Sequence, residues 1–293
     1  MSTRIAVAIV HGVGKQDGHF HQPMADDLRK RFADHVKRAT DDPDAQLVIE
    51  PVYWAPAIQP AEDELWRRAK LGGKMDWVKL RRYMIDFAGD AIAYQPTPGE
   101  RDVYDAVHKI LARALRKLAD QGCADAPLCV IAHSLGTVIA SNYIYDLQAG
   151  KPPKTVREVA GDTALEAGRT LTLLYTLGSP IAIWSLRYRE FGRPIQVPPS
   201  NYDPRLAELA GQCEWVNFYD KDDVIGYPLK TLNDAYALAV TRDVQVNIGG
   251  LFASWTPTSH THYATDSNVT KPIAQSLAKL WHAANDIRQD APP

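Results

Sequence analysis

Short apolar runs alternate along this chain with segments of helical periodicity, a pattern that predicts a mainly parallel sheet covered by helices. Residues 5–10 are apolar at every position and read as a fully buried strand. After a turn, residues 24–37 place Leu28, Phe32 and Val36 on one helical face. Residues 47–49, continuing through 52–54, predict a second strand. Residues 107–118 predict an amphipathic helix, with Ile110, Leu111, Ala114, Leu115 and Leu118 in step. Another buried strand is expected at 128–132 and a helix at 135–147. Later strands are expected at 171–177, 215–219 and 244–248, followed by a final helix at 269–283.

Two stretches break the alternation, at about residues 56–101 and 181–204. Both are expected to be cap or lid insertions on a single domain spanning residues 1–293. The portion 65–84 is basic and aromatic, carrying Trp66, Arg67, Arg68, Lys70, Lys74, Trp77, Lys79, Arg81 and Arg82. It fits a cap whose aromatics pack inward while Lys and Arg face water, or a segment lying on an anionic membrane surface. Gly72-Gly73 interrupts any single amphipathic helix, which favours the cap.

Composition narrows the function classes. With 45% hydrophobic residues among 293, the chain can bury a sizeable core. A formal net charge of -2 gives no electrostatic reason to expect a nucleic-acid partner. The early apolar run lacks a signal-peptide cleavage pattern, and no apolar stretch approaches the length that spans a bilayer. Cys123, Cys129 and Cys213 are too few and too scattered for a disulfide framework or a structural zinc site. A cytoplasmic protein with no cofactor is therefore expected.

The candidate chemistry begins at Ala132-His133-Ser134-Leu135-Gly136. Nucleophilic acyl transfer needs a serine on a sharp strand-to-helix turn, with small residues two positions to either side so that the backbone can bend. Ser134 stands between a predicted strand and a predicted helix, with alanine where glycine is usual on the first side. A plain N-cap serine is the competing reading. The strand ending in His11-Gly12-Val13-Gly14 supplies a second feature. Such a turn lends one backbone N–H to an oxyanion hole and the residue after the nucleophile lends the other, which maps the donors onto Val13 and Leu135. The spacing of Gly12, Gly14 and Gly18 does not match a dinucleotide-binding fingerprint, and Lys15 lacks the neighbours of a phosphate-binding loop.

A serine hydroxyl needs a histidine to take its proton and a carboxylate to orient that histidine. After Ser134 the histidines are His260, His262 and His282, and the last lies within the final helix pattern. His260 and His262 share a loop between the last strand pattern and that helix. Asp220, Asp222 and Asp223 follow the strand at 215–219, at the strand end where an open α/β sheet places its functional groups. At least one of them is a polar turn residue.

With these segments in view, the chain resembles the α/β-hydrolase superfamily, and within it the lipase/serine-esterase-like branch that includes GPI-inositol-deacylase-like proteins. The resemblance rests on Val10-His11-Gly12-Val13-Gly14, Ala132-His133-Ser134-Leu135-Gly136, Thr176-Leu177-Gly178-Ser179-Pro180, Asp223-Val224-Ile225-Gly226-Tyr227-Pro228-Leu229 and Ser259-His260-Thr261-His262-Tyr263. It implies an α/β-hydrolase fold and a carboxylic ester substrate, either a small molecule or a lipid. It also implies Asp223 as the acid, with Asp222 second, and His260 rather than His262 as the base. The Leu-Gly-Ser-Pro serine, Ser179, reads as structural. The same fold can also serve as a catalytically silent binding or scaffold protein.

Overall fold

Every residue of Ile5–Val10 (β1) is buried, and its side chains divide between two cores. The computed structural model describes residues 2–13, 17–73, 75–97, 99–248 and 262–289. After β1 come α1 (Gln22–Val36) and β2 (Leu47–Val52). The first excursion holds α2 (Gln59–Leu71), α3 (Val78–Met84) and α4 (Asp90–Tyr94). Then follow α5 (Asp102–Leu118), β3 (Leu128–His133), α6 (Leu135–Gln148) and α7 (Lys154–Arg157). The remainder comprises β4 (Leu171–Leu177), α8 (Ile181–Ser185), β5 (Glu214–Asp220), α9 (Asp234–Ala239), β6 (Arg242–Val246) and α10 (Ser267–Gln289).

The six strands form one all-parallel sheet in the order β2-β1-β3-β4-β5-β6, flanked by helices: an α/β fold. Parallel strands covered on both faces are apolar almost throughout, which is why β1 reads as an unbroken hydrophobic run and β3 nearly so. β4 adds Thr172 and Thr176, whose buried hydroxyls are hydrogen-bonded. Successive side chains point to opposite faces. Ile5, Val7 and Ile9 meet Leu28 and Phe32 of α1 and Ile273, Leu277 and Trp281 of α10. Ala6, Ala8 and Val10 belong to the other core, with Leu111 and Leu115 of α5 and Val138 and Ile139 of α6.

Two expectations are corrected. The last strand lies at Arg242–Val246 rather than 244–248. Among the described residues it pairs only with β5, so its outer edge tolerates Arg242 and Gln245. The basic-aromatic excursion is helical, but its aromatics do not all turn inward: Trp66 is half-buried, whereas Trp77 is 76% exposed. Among the described residues no helix is long and apolar enough to cross a membrane.

The order of the strands sets where a site can form. From β1 the chain goes outward on one side to β2, then crosses to β3 on the other. The loops leaving the C-terminal ends of β1 and β3 therefore part in opposite directions and open a crevice between them.

Candidate active site

The sheet register brings the candidate residues to one edge. Val10 pairs with Ala132, His133 with Leu177, and Leu177 with Phe218. The chain leaves β1 at His11, β3 at Ser134 and β5 just before Asp222 and Asp223, so all of these segments emerge along the same line.

Ser134 occupies a backbone conformation that L-residues avoid, with φ 53° and ψ −132°. This is the sharp turn that joins β3 to α6 without a loop. The turn is pinned on both sides. The Ser134 N–H donates to the Leu177 carbonyl at 2.9 Å, and the Thr137 hydroxyl donates to the Ser134 carbonyl at 2.7 Å. Ser179 lies 2.8 Å from Thr137 and is fully buried, so it braces the elbow from β4's end, a structural duty. Ser134 itself has no exposed surface. Leu135 begins α6, and its N–H is among the first-turn groups that have no acceptor within the helix.

The His11-Gly12 turn lies directly against this elbow. A Cβ on Gly12 would stand 2.6 Å from the Ser134 Cβ and 2.9 Å from His133 Nδ1. Val13, half-buried, follows immediately. A Cβ on Gly136 would overlap the His11 carbonyl oxygen and sit 3.0 Å from the Val10 oxygen. Both obstacles are backbone atoms at the end of a central strand and cannot step aside. Gly136→Ala is expected to cost about 3 kcal/mol. In thermal unfolding this appears as a midpoint lowered by about 6–12 °C, and an unchanged midpoint would refute the close approach.

His11 holds the turn in shape. Its Nδ1–H donates to the Gly12 carbonyl at 2.6 Å, while Nε2 accepts from the Trp54 and Ala55 N–H groups at 3.0 and 3.2 Å. Its ring stacks on the Trp54 indole, centroids 4.5 Å apart, and the indole N–H donates to the His11 carbonyl at 2.9 Å. An Nε2 that accepts two N–H bonds has no room for a proton, so the imidazole is neutral. Burial accordingly pushes its pKa from 6.5 down to about 4.

The pH consequence follows from linkage. As pH falls, the unfolded chain protonates this histidine first, so its contribution is complete above about pH 6.5 and is lost on the way down to 4. The loss amounts to about 3 kcal/mol over that window. Denaturant titrations at neutral and mildly acidic pH should show a steeper decline for the native chain than for His11→Gln. Parallel declines would exclude this role.

Of the three aspartates, each has a distinct place. Asp220 is buried, and its carboxylate accepts from the Asp222 N–H at 2.8 Å and from the Ile248 N–H, tying β5 to the chain beyond β6. Asp222 is half-exposed. Asp223 is buried, with Oδ1 accepting the Ile225 N–H and Oδ2 accepting the Tyr263 hydroxyl, both at 3.0 Å. Tyr263 is fully buried, and its oxygen also accepts the Asp220 N–H at 2.8 Å. Burial, reinforced by the neighbouring Asp223, holds this phenol protonated far above its usual range. The Tyr263 ring lies 5.8 Å from that of His133, the residue before Ser134. One aromatic ring therefore links the buried aspartate to the Ser134 turn.

Comparisons with family models, curated proteins and solved structures give no match for this chain. The functional reading therefore rests on the residues themselves.

The base expected from sequence, His260, lies outside the described residues. His262 is described and is exposed. Among the described residues no group of three or more His, Cys, Asp or Glu could hold a metal ion.

Sequence reasoning missed three supports of this site. Tyr263 entered only as the last residue of the segment carrying the histidines, yet its hydroxyl donates to Asp223. Trp54, at the end of β2, anchors the His11 turn. Asp243 of β6 accepts from the N–H groups of Leu229 and Lys230 and from Asn217, fixing the loop that carries Asp223. Only Tyr263 left a signal in the chain, an aromatic just beyond the histidine pair.

Proposed function

We propose that this chain is a serine hydrolase of the α/β-hydrolase type, in the lipase/serine-esterase-like branch, cleaving carboxylic esters. The observation that carries the reading is the strained turn at Ser134, packed against the His11-Gly12 turn of the neighbouring strand. An N-cap serine has no need of a left-handed backbone, whereas a nucleophile held at the head of a helix does.

The chemistry assigns each residue one task. Ser134 Oγ attacks the ester carbonyl as His260 takes its proton. Asp223 orients the imidazole and stabilises its cationic form. The N–H groups of Val13 and Leu135 receive the oxyanion, helped by the positive end of α6. Collapse expels the alkoxide, which takes the proton from His260. Water, deprotonated by the same histidine, then attacks the acyl-enzyme and frees Ser134. Asp223 is favoured as the acid because it is buried and gripped by Tyr263, while Asp220 is committed to backbone N–H groups. The exposure of His262 favours His260 as the base.

A fluorophosphonate probe, followed by intact mass, and a panel of esters of increasing acyl length test the proposal together. One adduct per chain and turnover of at least one ester are expected. A folded chain that takes up no probe and cleaves no ester would instead be a silent scaffold.

A further inference from the structure

We infer that the helical excursion between β2 and α5 is a docking surface for an anionic lipid bilayer, a property that goes beyond ester cleavage and does not depend on it. Here α2 and α3 enclose an open groove of about 580 Å³, walled by Trp66, Met75, Trp77, Arg81, Met84 and Ile85. The same stretch of chain is strongly apolar for a surface: Trp77 and Met84 of the groove wall are 76% and 50% exposed, and Leu71, Leu65 and Val78 on α2 and α3 are exposed as well. Clustered exposure of this kind is costly in water and marks a contact surface. Trp77 also has a left-handed backbone, φ 59°, which a bulky residue adopts only at a cost.

Charge selects the occupant. Between positions 65 and 82 the sequence carries Arg67, Arg68, Lys70, Lys74, Lys79, Arg81 and Arg82 against Asp76, with Glu62, Asp63 and Glu64 just before this span and Asp86 and Asp90 just after it. Lys70 Nζ sits 5.8 Å from the centre of the Trp66 ring, and Arg81 Nε donates to the Asp76 carbonyl, so both cations are held beside the groove. Arg67 and Arg68 stand exposed next to it, sharing Glu64. Arg82 is instead turned inward to Asp63 and Asp86. Beneath the surface, Glu62 is buried beside Asp90 and Asp86, and burial followed by the Asp90 charge pushes it up to about 8. Held protonated, it does not cancel the positive rim. Tryptophan and aliphatic side chains edged by Lys and Arg match the boundary between acyl chains and anionic headgroups.

The position agrees with this. The excursion leaves the C-terminal end of β2 directly after Trp54, which stacks on His11 beside the Ser134 elbow. The docking surface and the candidate active site therefore arise from the same edge of the sheet.

Co-sedimentation of the full chain with phosphatidylcholine vesicles, with and without phosphatidylserine, tests the inference. Binding is expected only with phosphatidylserine and should weaken as salt rises. Trp77→Ser with Leu71→Ser, and separately Arg67→Glu with Arg81→Glu, should each weaken it about tenfold or more. Circular dichroism and turnover of a water-soluble ester should be unchanged in both double variants, which separates loss of docking from loss of the fold or of catalysis. If the Trp77 variant fails to fold, the lipid and salt dependence of the native chain decides. Absence of binding to phosphatidylserine vesicles, or binding insensitive to charge reversal, overturns the inference. So does a lipid-independent dimer that Trp77→Ser dissociates, because the patch is then a protein interface.

Discussion

Turnover of a soluble ester by the Ser134→Ala protein is expected to fall about 10⁴- to 10⁶-fold, with the fluorophosphonate adduct lost entirely. Under the proposed mechanism, removing the hydroxyl removes the covalent route, and what survives is the stabilisation supplied by the proposed oxyanion turn and by binding. Stability should hardly change, because the elbow's fixed points are backbone groups of Ser134: its N–H on Leu177 and its carbonyl under Thr137. Ser134→Gly gives a complementary result. Glycine takes a positive φ without strain, so this variant should be equally inactive yet more stable by about 1 kcal/mol. Thermal unfolding and steady-state kinetics on the three proteins check both claims. Full labelling of Ser134→Ala, or substantial residual turnover, removes Ser134 from the mechanism.

The second large effect separates the aspartates. Asp223→Asn is expected to lower kcat about 10⁴-fold, because an amide no longer selects the histidine tautomer that accepts the serine proton. Asp222→Asn should stay within a few-fold of the native chain, since its side chain is half-exposed. Asparagine nearly matches aspartate in shape: its one oxygen can keep the Ile225 N–H, while its amide N–H group faces the Tyr263 oxygen and donates to it, the phenol turning its own proton away. The fold should therefore survive, and the lost rate reports chemistry rather than unfolding. A large effect at Asp222 with a small one at Asp223 would exchange their roles.

Much of this architecture was legible in the amino-acid order. Strands buried on both faces are written as largely apolar runs, so β1, β3 and β4 stood out with nearly correct limits. The helix at α5 was equally plain, because one face meets the sheet and the other meets water. The edge strand β6 was shifted by two residues, because one-sided pairing relaxes the need for an apolar run. The helices of the first excursion were hidden for a related reason. Trp77, Leu71 and Met84 carry hydrophobicity that faces outward, so periodicity could not say which way the segment turns.

By itself, the sequence determined the α/β alternation and the small-residue frame around Ser134. It also determined the His11-Gly12-Val13 turn and the order in which candidate acid and base follow. Each of these is local, set by backbone freedom and side-chain period within a few residues. Only the tertiary structure decided which aspartate is buried and bonded, and why Gly136 must lack a side chain. It also decided that His11 is a neutral strut and that Tyr263 links Asp223 to the Ser134 turn. These depend on contacts between segments 40 or more positions apart, such as Tyr263 with Asp223 and His11 with Trp54. Spacing along the chain carries no information about such contacts until the parallel sheet aligns the strand ends.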